Sequence, residues 1–314
     1  MLKLLRSKIP GICILLLGIA AAATANEPVF KTVGPTQADY PTIQAAIDSV
    51  PAGNPEQKLI LIQPGSYFGH TILNKPNVTL RGSGASTLLT FNLGQAMPGD
   101  DMQPVGWQGA AALLITEEGK GARVEDLTLE NTYGKGMQAQ ACSSLADRVA
   151  FRRCRIMGWQ DTLKIDTGRH YFEKCYVSGH VDFIYGSATA FFADCEIACR
   201  EPGYIVAPST LPDKTGFVFE QCRITFPFGN PSVYLGRPWR DSPSATFVRC
   251  EMGAGVRAEG WHEWNVKPPA IRFAEYACSG PGAATTGRVN WATVSVEAAP
   301  VQYSREKVLS DWKP

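Results

Sequence analysis

The chain has 314 residues, and its hydrophobic share of 45% against a charged share of 19% excludes disorder and supplies a sizeable core. Thirty basic and 29 acidic residues leave a net charge of +1, which argues against nucleic acid or a polyanionic surface as the main partner. Thirty Gly and 22 Pro suit many short strands better than a few long helices.

In chain order, Lys3, Arg6 and Lys8 precede a short apolar run over Ile12 to Ile19, and Ala23-Thr24-Ala25 supplies small residues. This pattern predicts an export signal over residues 1–25, cleaved after Ala25, for a secreted or periplasmic protein. The run is shorter than the roughly twenty residues that span a bilayer, so no membrane anchor is expected after cleavage. A single domain then fills residues 26–314. Thr42 to Val50 is the one clear helix: Thr42 can cap it, Ile43, Ala46, Ile47 and Val50 share a face, and Pro51 ends it. It is expected to cover an open apolar end of the fold.

An internal repeat follows. Phe151-Arg-Arg-Cys154-Arg-Ile156 recurs as Phe172 to Val177, Phe192 to Ile197, Phe219 to Ile224 and Phe247 to Met252, with Val124 to Leu129 as a related upstream unit. Each unit reads as one short strand of alternating apolar and polar residues. No helix-length pattern separates Cys154 from Cys195, so successive units stack in parallel, about 4.8 Å apart. The expected fold is all-β: a right-handed parallel β-helix with a short N-terminal capping helix. Stacked cysteines at that spacing sit farther apart at Cβ than the roughly 3.5–4.5 Å a disulfide wants, so the five-member ladder reads as small core side chains. Cys195 and Cys199 leave one local bridge open. With no Cys-x-x-Cys pair and no His-x-x-x-His spacing, no metal or cofactor is expected.

The repeat puts two carboxylates in phase. Asp161 lies seven residues after Cys154 and Asp182 seven after Cys175. A single Asp would read as a turn residue; two on adjacent rungs read as a site. Carboxylates about 5 Å apart cannot both ionise cheaply, so one holds a proton while the other stays charged, giving one acid and one base or nucleophile. Gln138 and Gln160 are neutral donors about one coil apart, whereas Gln140 reads equally well as part of a polar ladder. Arg237, between Gly236 and Pro238-Trp239, can hold one aspartate ionised. His180 precedes Asp182 by two and is as readily a surface histidine as a cleft residue.

These segments resemble the pectin methylesterases, carbohydrate esterases of the right-handed parallel β-helix type. The resemblance rests on Gly158-Trp-Gln-Asp161-Thr-Leu163, Gly179-His-Val-Asp182-Phe-Ile-Tyr-Gly186 and Leu235-Gly-Arg237-Pro-Trp239. Asn131 to Gly134, Gln138 to Ala141, Asp39 to Ile47 and Gly260 to Trp264 extend it from about residue 31 to 292. It implies that Asp182 is the nucleophile, Asp161 the proton donor and acceptor, and Gln138 and Gln160 the oxyanion donors. Arg237 would orient Asp182, and Arg237, Trp239, Gln138 and Phe183 would bind substrate. The implied partner is methyl-esterified homogalacturonan, acted on by a monomer without cofactor. Tyr185 stands where the family usually has Phe, His180 replaces a small residue or Thr, and Gly69 stands where the family has an acid. An esterase for another acyl group, a glycosidase or lyase using the carboxylate pair, and a non-catalytic polysaccharide binder are the rival readings.

Overall fold

The computed structural model describes residues 28–229, 232–240, 242–264 and 270–314; the expected export signal lies outside them. The chain winds as a right-handed parallel β-helix. One coil runs through Val149–Arg152, a corner at Arg153, Arg155–Met157, a turn holding Asp161, and Leu163–Ile165, before the next begins at Arg169. Each strand pairs in parallel with its counterpart one coil away, and three stacks result. The first is an 11-stranded sheet from Val29–Val33 to Thr293–Ser295. The other two are joined into a 13-stranded sheet by Tyr176–Gly186 and Glu196–Pro208, which run through both faces.

The repeat unit is two strands rather than the single strand its alternation suggests. Arg153 is left-handed, with φ of 52°, and the equivalent Asp126, Lys174, Asp194, Gln221, Arg249 and Ala277 have φ between 50° and 54°. A left-handed residue breaks the period of two, so Phe151, Cys154 and Ile156 all turn inward although they are three and two positions apart. Such a conformation costs roughly 1–2 kcal/mol in a non-glycine residue. Here each corner N–H is held by a carbonyl of the next coil: Arg153 by Glu173, Lys174 by Ala193, Gln221 by Val248 and Arg249 by Tyr276, at 2.8–3.0 Å. The ladder thereby over-determines the strained corner.

Inside, like stacks on like. Phe151, Phe172, Phe192, Phe219 and Phe247 are consecutive register partners. Their rings lie 4.7, 4.3, 4.4 and 4.6 Å apart and are nearly parallel. Beside them run Cys154, Cys175, Cys195, Cys222 and Cys250. A sixth member, Cys278, follows without the Phe that would have marked it, because Glu275 is the register partner of Phe247. Trp261 fills that gap in the ring column, 5.8 Å from Phe247 and 4.5 Å from Phe273. The thiols donate to carbonyls of the preceding coil, as Cys154 does to Val124 at 3.2 Å and Cys250 to Phe219 at 3.4 Å. All eight cysteines among the described residues are free, Cys195 and Cys199 included.

The helix spans Ile43–Asp48, with the Thr42 hydroxyl accepting from the Ala45 N–H. It buries Ile43, Ala46 and Ile47 against the early strands Val29–Val33, Lys58–Ile62 and Thr71–Leu73. At the other end of the sequence, Val308 and Leu309 cover the outer apolar face of the first sheet over Tyr171, Phe191, Val218 and Val248. No helix among the described residues is long and apolar enough to cross a membrane.

Truncating the middle of the ring column, Phe192→Ala, removes a fully buried ring that stacks on Phe172 and Phe219. It is expected to lower unfolding free energy by about 3–5 kcal/mol, read from the denaturant midpoint. A loss below about 1 kcal/mol would show that the column does not carry the fold.

Candidate active site

The site grows out of the turn between the second and third stacks. Asp161 and Asp182 occupy equivalent turn positions of adjacent coils, and both are left-handed, with φ of 64° and 51°. The coils are zipped there: the Asp161 N–H donates to the Val181 carbonyl and the His180 N–H to the Trp159 carbonyl, each at 3.1 Å. Gly179 is required in the turn, since a Cβ would meet the Phe183 Cβ at 2.3 Å and the Trp159 carbonyl oxygen at 2.6 Å. Two aspartates in a conformation that disfavours L-residues, held by the ladder, is strain placed where side chains must be aimed.

Both carboxyls open into a cavity of about 530 Å³, whose wall includes Gln138, Gln160, Arg237 and Trp239. Arg237 grips Asp182 with two parallel bonds, Nε to Oδ1 at 2.9 Å and Nη2 to Oδ2 at 2.6 Å. Its guanidinium is itself sandwiched, 4.1 Å from the Tyr204 ring and 4.0 Å from Trp264. The fork therefore has little freedom to release the carboxylate. Burial raises the Asp182 pKa, and Arg237 opposes that rise. Asp161 has no such clamp. Burial, and then the neighbouring Asp182 charge, push it up to about 8, against weaker opposition from Lys164, Tyr185 and Arg237. Near neutral pH the coupled pair thus holds one proton, mainly on Asp161.

The side chains of Gln138 and Gln160 make no hydrogen bond to the described residues, and their backbones are tied by Ala139 N–H to Gln160 carbonyl at 3.1 Å. They are free neutral donors at the mouth of the pair. Trp239 stands edge-on to Tyr185 at 5.5 Å. Phe183 is a correction to the sequence reading. The backbone beyond the left-handed Asp182 carries it into the apolar core, where it is fully buried and cannot bind a sugar. His180 does not line the cavity; it is half-buried edge-on to Trp159 at 5.6 Å, and burial lowers its pKa.

The sequence reading names Tyr185 and Trp264 only within motifs and passes over Gln95, Trp107 and Lys164; all five also line the cavity. Two of these carried a usable signal. Lys164 lies three residues after Asp161 and Tyr185 three after Asp182, and the two are register partners. The same phase that found the aspartates finds them. Gln95 sits on an irregular loop and Trp107 in the short helix Gly106–Ala110 that ends it, neither with a coil phase to read. Asn131 ties that loop down through its side-chain amide, which donates to the carbonyls of Leu93, Ala110 and Gln140 at 2.9–3.1 Å.

A clamped carboxylate, a protonated carboxyl one rung away and two neutral amides form a set suited to acyl transfer through a carboxylate nucleophile. The described residues contain no group of three or more His, Cys, Asp or Glu placed to hold a metal.

Comparison with known proteins places this geometry. The family model described as Pectinesterase matches residues 32–310. Pectinesterase 31 of Arabidopsis thaliana is 37% identical over 266 residues, covering 81% of this chain and 83% of that protein. Among solved structures, the pectin methylesterase PemA from Erwinia chrysanthemi superposes with a TM-score of 0.82 at 26% identity, covering 92% of this chain and 99% of that one. A pectin methylesterase crystallised in complex with a hexasaccharide gives the same TM-score of 0.82 at 26% identity, with coverages of 92% and 99%.

Replacing Asp182 by Asn removes a like charge beside Asp161 and frees Arg237 to act on it. Both changes favour the ionised form, so the Asp161 pKa is expected to fall below its raised value. Carboxyl-carbon NMR titration of the folded variant reads this directly, and an unchanged or higher value would show that the two groups are not electrostatically coupled.

Proposed function

The chain belongs to the pectinesterase family and is a carboxylic ester hydrolase with pectin methylesterase activity, and on that premise we propose a division of labour among its residues. Asp182 is the nucleophile and Asp161 the proton donor and acceptor. Gln138 and Gln160 hold the oxyanion, Arg237 aims Asp182, and Trp239 walls the sugar site. The substrate is methyl-esterified homogalacturonan, in keeping with the oligosaccharide complex of the structural relative.

An Asp182 oxygen attacks the ester carbonyl, and the amides of Gln138 and Gln160 receive the charge that develops on the carbonyl oxygen. Being neutral, each can supply on the order of 3 kcal/mol without disturbing the ionisation of the aspartates. As the tetrahedral species collapses, the C–O bond to methoxide breaks and Asp161 gives its proton to the departing oxygen. Methanol leaves, and the substrate acyl group remains joined to Asp182 as an anhydride. Asp161, now a carboxylate, takes a proton from water as the water attacks. The free galacturonic acid departs and gives its remaining proton to solvent, Asp182 is regenerated ionised, and Asp161 holds its proton again. The observation that carries this reading is the unequal environment of the pair: one carboxylate forked by Arg237, the other buried and unclamped one rung away.

The purified protein is expected to release methanol from highly methylated pectin without shortening the polymer, and Asp182→Asn to lose on the order of 10³-fold or more of that rate. Polymer cleavage without methanol would replace this reading with glycosidic bond breaking. The profile of kcat/KM is expected to fall in acid as Asp182 takes up a proton, and again in alkali as Asp161, raised to about 8, loses the proton it must donate. An enzymatic rate still climbing beyond about pH 10, after subtraction of base hydrolysis, would remove Asp161 from the donor role.

A further inference from the structure

The wall behind Asp161 contains a second arrangement that the catalytic roles above leave unused. Lys164 and Tyr185 are register partners on adjacent coils, so their side chains stand side by side on the cavity floor. The Lys164 side chain is only 4% exposed, yet carries an ammonium. That ammonium lies over three rings, 4.7 Å from Trp107, 4.8 Å from Tyr185 and 5.2 Å from Trp239. Among the described residues its ion-pair partner is Asp166 at 2.6 Å. The Tyr185 hydroxyl accepts a hydrogen bond at 2.8 Å from the side-chain amide of Gln140, which is fully buried. With that lone pair occupied, the hydroxyl proton is left for the cavity, whose wall Tyr185 shares with Asp161.

Such a wall is costly unless it does something. Burying an ammonium and a phenol beside a carboxyl is unfavourable while that carboxyl is neutral, and favourable once it is charged. We propose that Tyr185 and Lys164 are positioning residues that act through Asp161, orienting its carboxyl and stabilising the carboxylate left behind when its proton goes to the leaving group. The inference rests on the role given to Asp161 above. Each aspartate then has its own cation: Arg237 by direct bonds for Asp182, and Lys164 by its field from the cavity wall for Asp161. Asp166, at 2.6 Å, shares the Lys164 charge from the far side of the cavity wall. The groups facing Asp161 are Asp182, Lys164, Tyr185 and Arg237, and Lys164 and Tyr185 are the two of these that favour its ionised form without also holding Asp182.

The test uses Tyr185→Phe and Lys164→Met in the full-length enzyme. The first removes only the hydroxyl; the second keeps an unbranched apolar stem among the three rings. Each removes a group that favours ionised Asp161, so the alkaline limb of kcat/KM is expected to move to higher pH by on the order of half to one unit. Below the limb, kcat should fall several-fold with KM little changed, because a donor of higher pKa yields its proton less readily. A purely structural role would lower the melting temperature or scale the rate at every pH without moving the limb. A limb unmoved, or moved downward, in both folded variants overturns the proposal while leaving Asp161 in place. If Asp161→Asn keeps wild-type activity and the wild type shows no alkaline limb, the donor assignment fails and this inference fails with it.

Discussion

Parallel register at one coil per rung is the constraint on which everything else in this protein depends. It fixes equivalent residues about 4.8 Å apart along the axis, so whatever one coil places at a position, the next must accommodate at the same position. Five phenylalanines and six cysteines satisfy that demand cheaply, by stacking apolar faces and aligning thiols under carbonyls. Two aspartates cannot satisfy it cheaply. The same rule that makes the core easy to build makes the site expensive, and the expense is what separates the two carboxyls into different protonation states.

The left-handed corners show how such a register is enforced. No single residue type selects the conformation, since Asp, Arg, Lys, Gln and Ala all occupy it. The selection comes from the neighbouring coil, which accepts the corner N–H and would lose that partner if the corner relaxed. Asp161 and Asp182 have left-handed φ values as well, so the site uses the backbone state that the scaffold has already learned to hold.

What could be read from the sequence followed from phase, and what escaped had none. The coil repeat, the phenylalanine and cysteine columns and the aspartate pair are periodic, and each is visible in a single chain. The corner itself was invisible because Arg153 and its equivalents share no chemistry. Cys278 escaped because Glu275 stands at the phenylalanine rung and Trp261 enters the ring column from a loop. Trp107 and Gln95 escaped because their loop is held by tertiary bonds from Asn131, which sequence spacing does not encode. Lys164 and Tyr185 were within reach of the phase argument. A lysine among apolar residues simply did not announce a site until three aromatic rings were seen around it.

The cysteine column has a consequence for how the chain can be made. Its thiols donate to backbone carbonyls, and five of the six are buried. Attack on another sulfur requires a thiolate that can reach it, and enclosed sulfurs are poorly placed for that. With no disulfide among the described residues, no oxidant is needed to complete this part of the fold and a reductant finds no bond there to break. A fold sealed by hydrogen-bonded thiols instead of cross-links can assemble on either side of a membrane that separates reducing from oxidising surroundings.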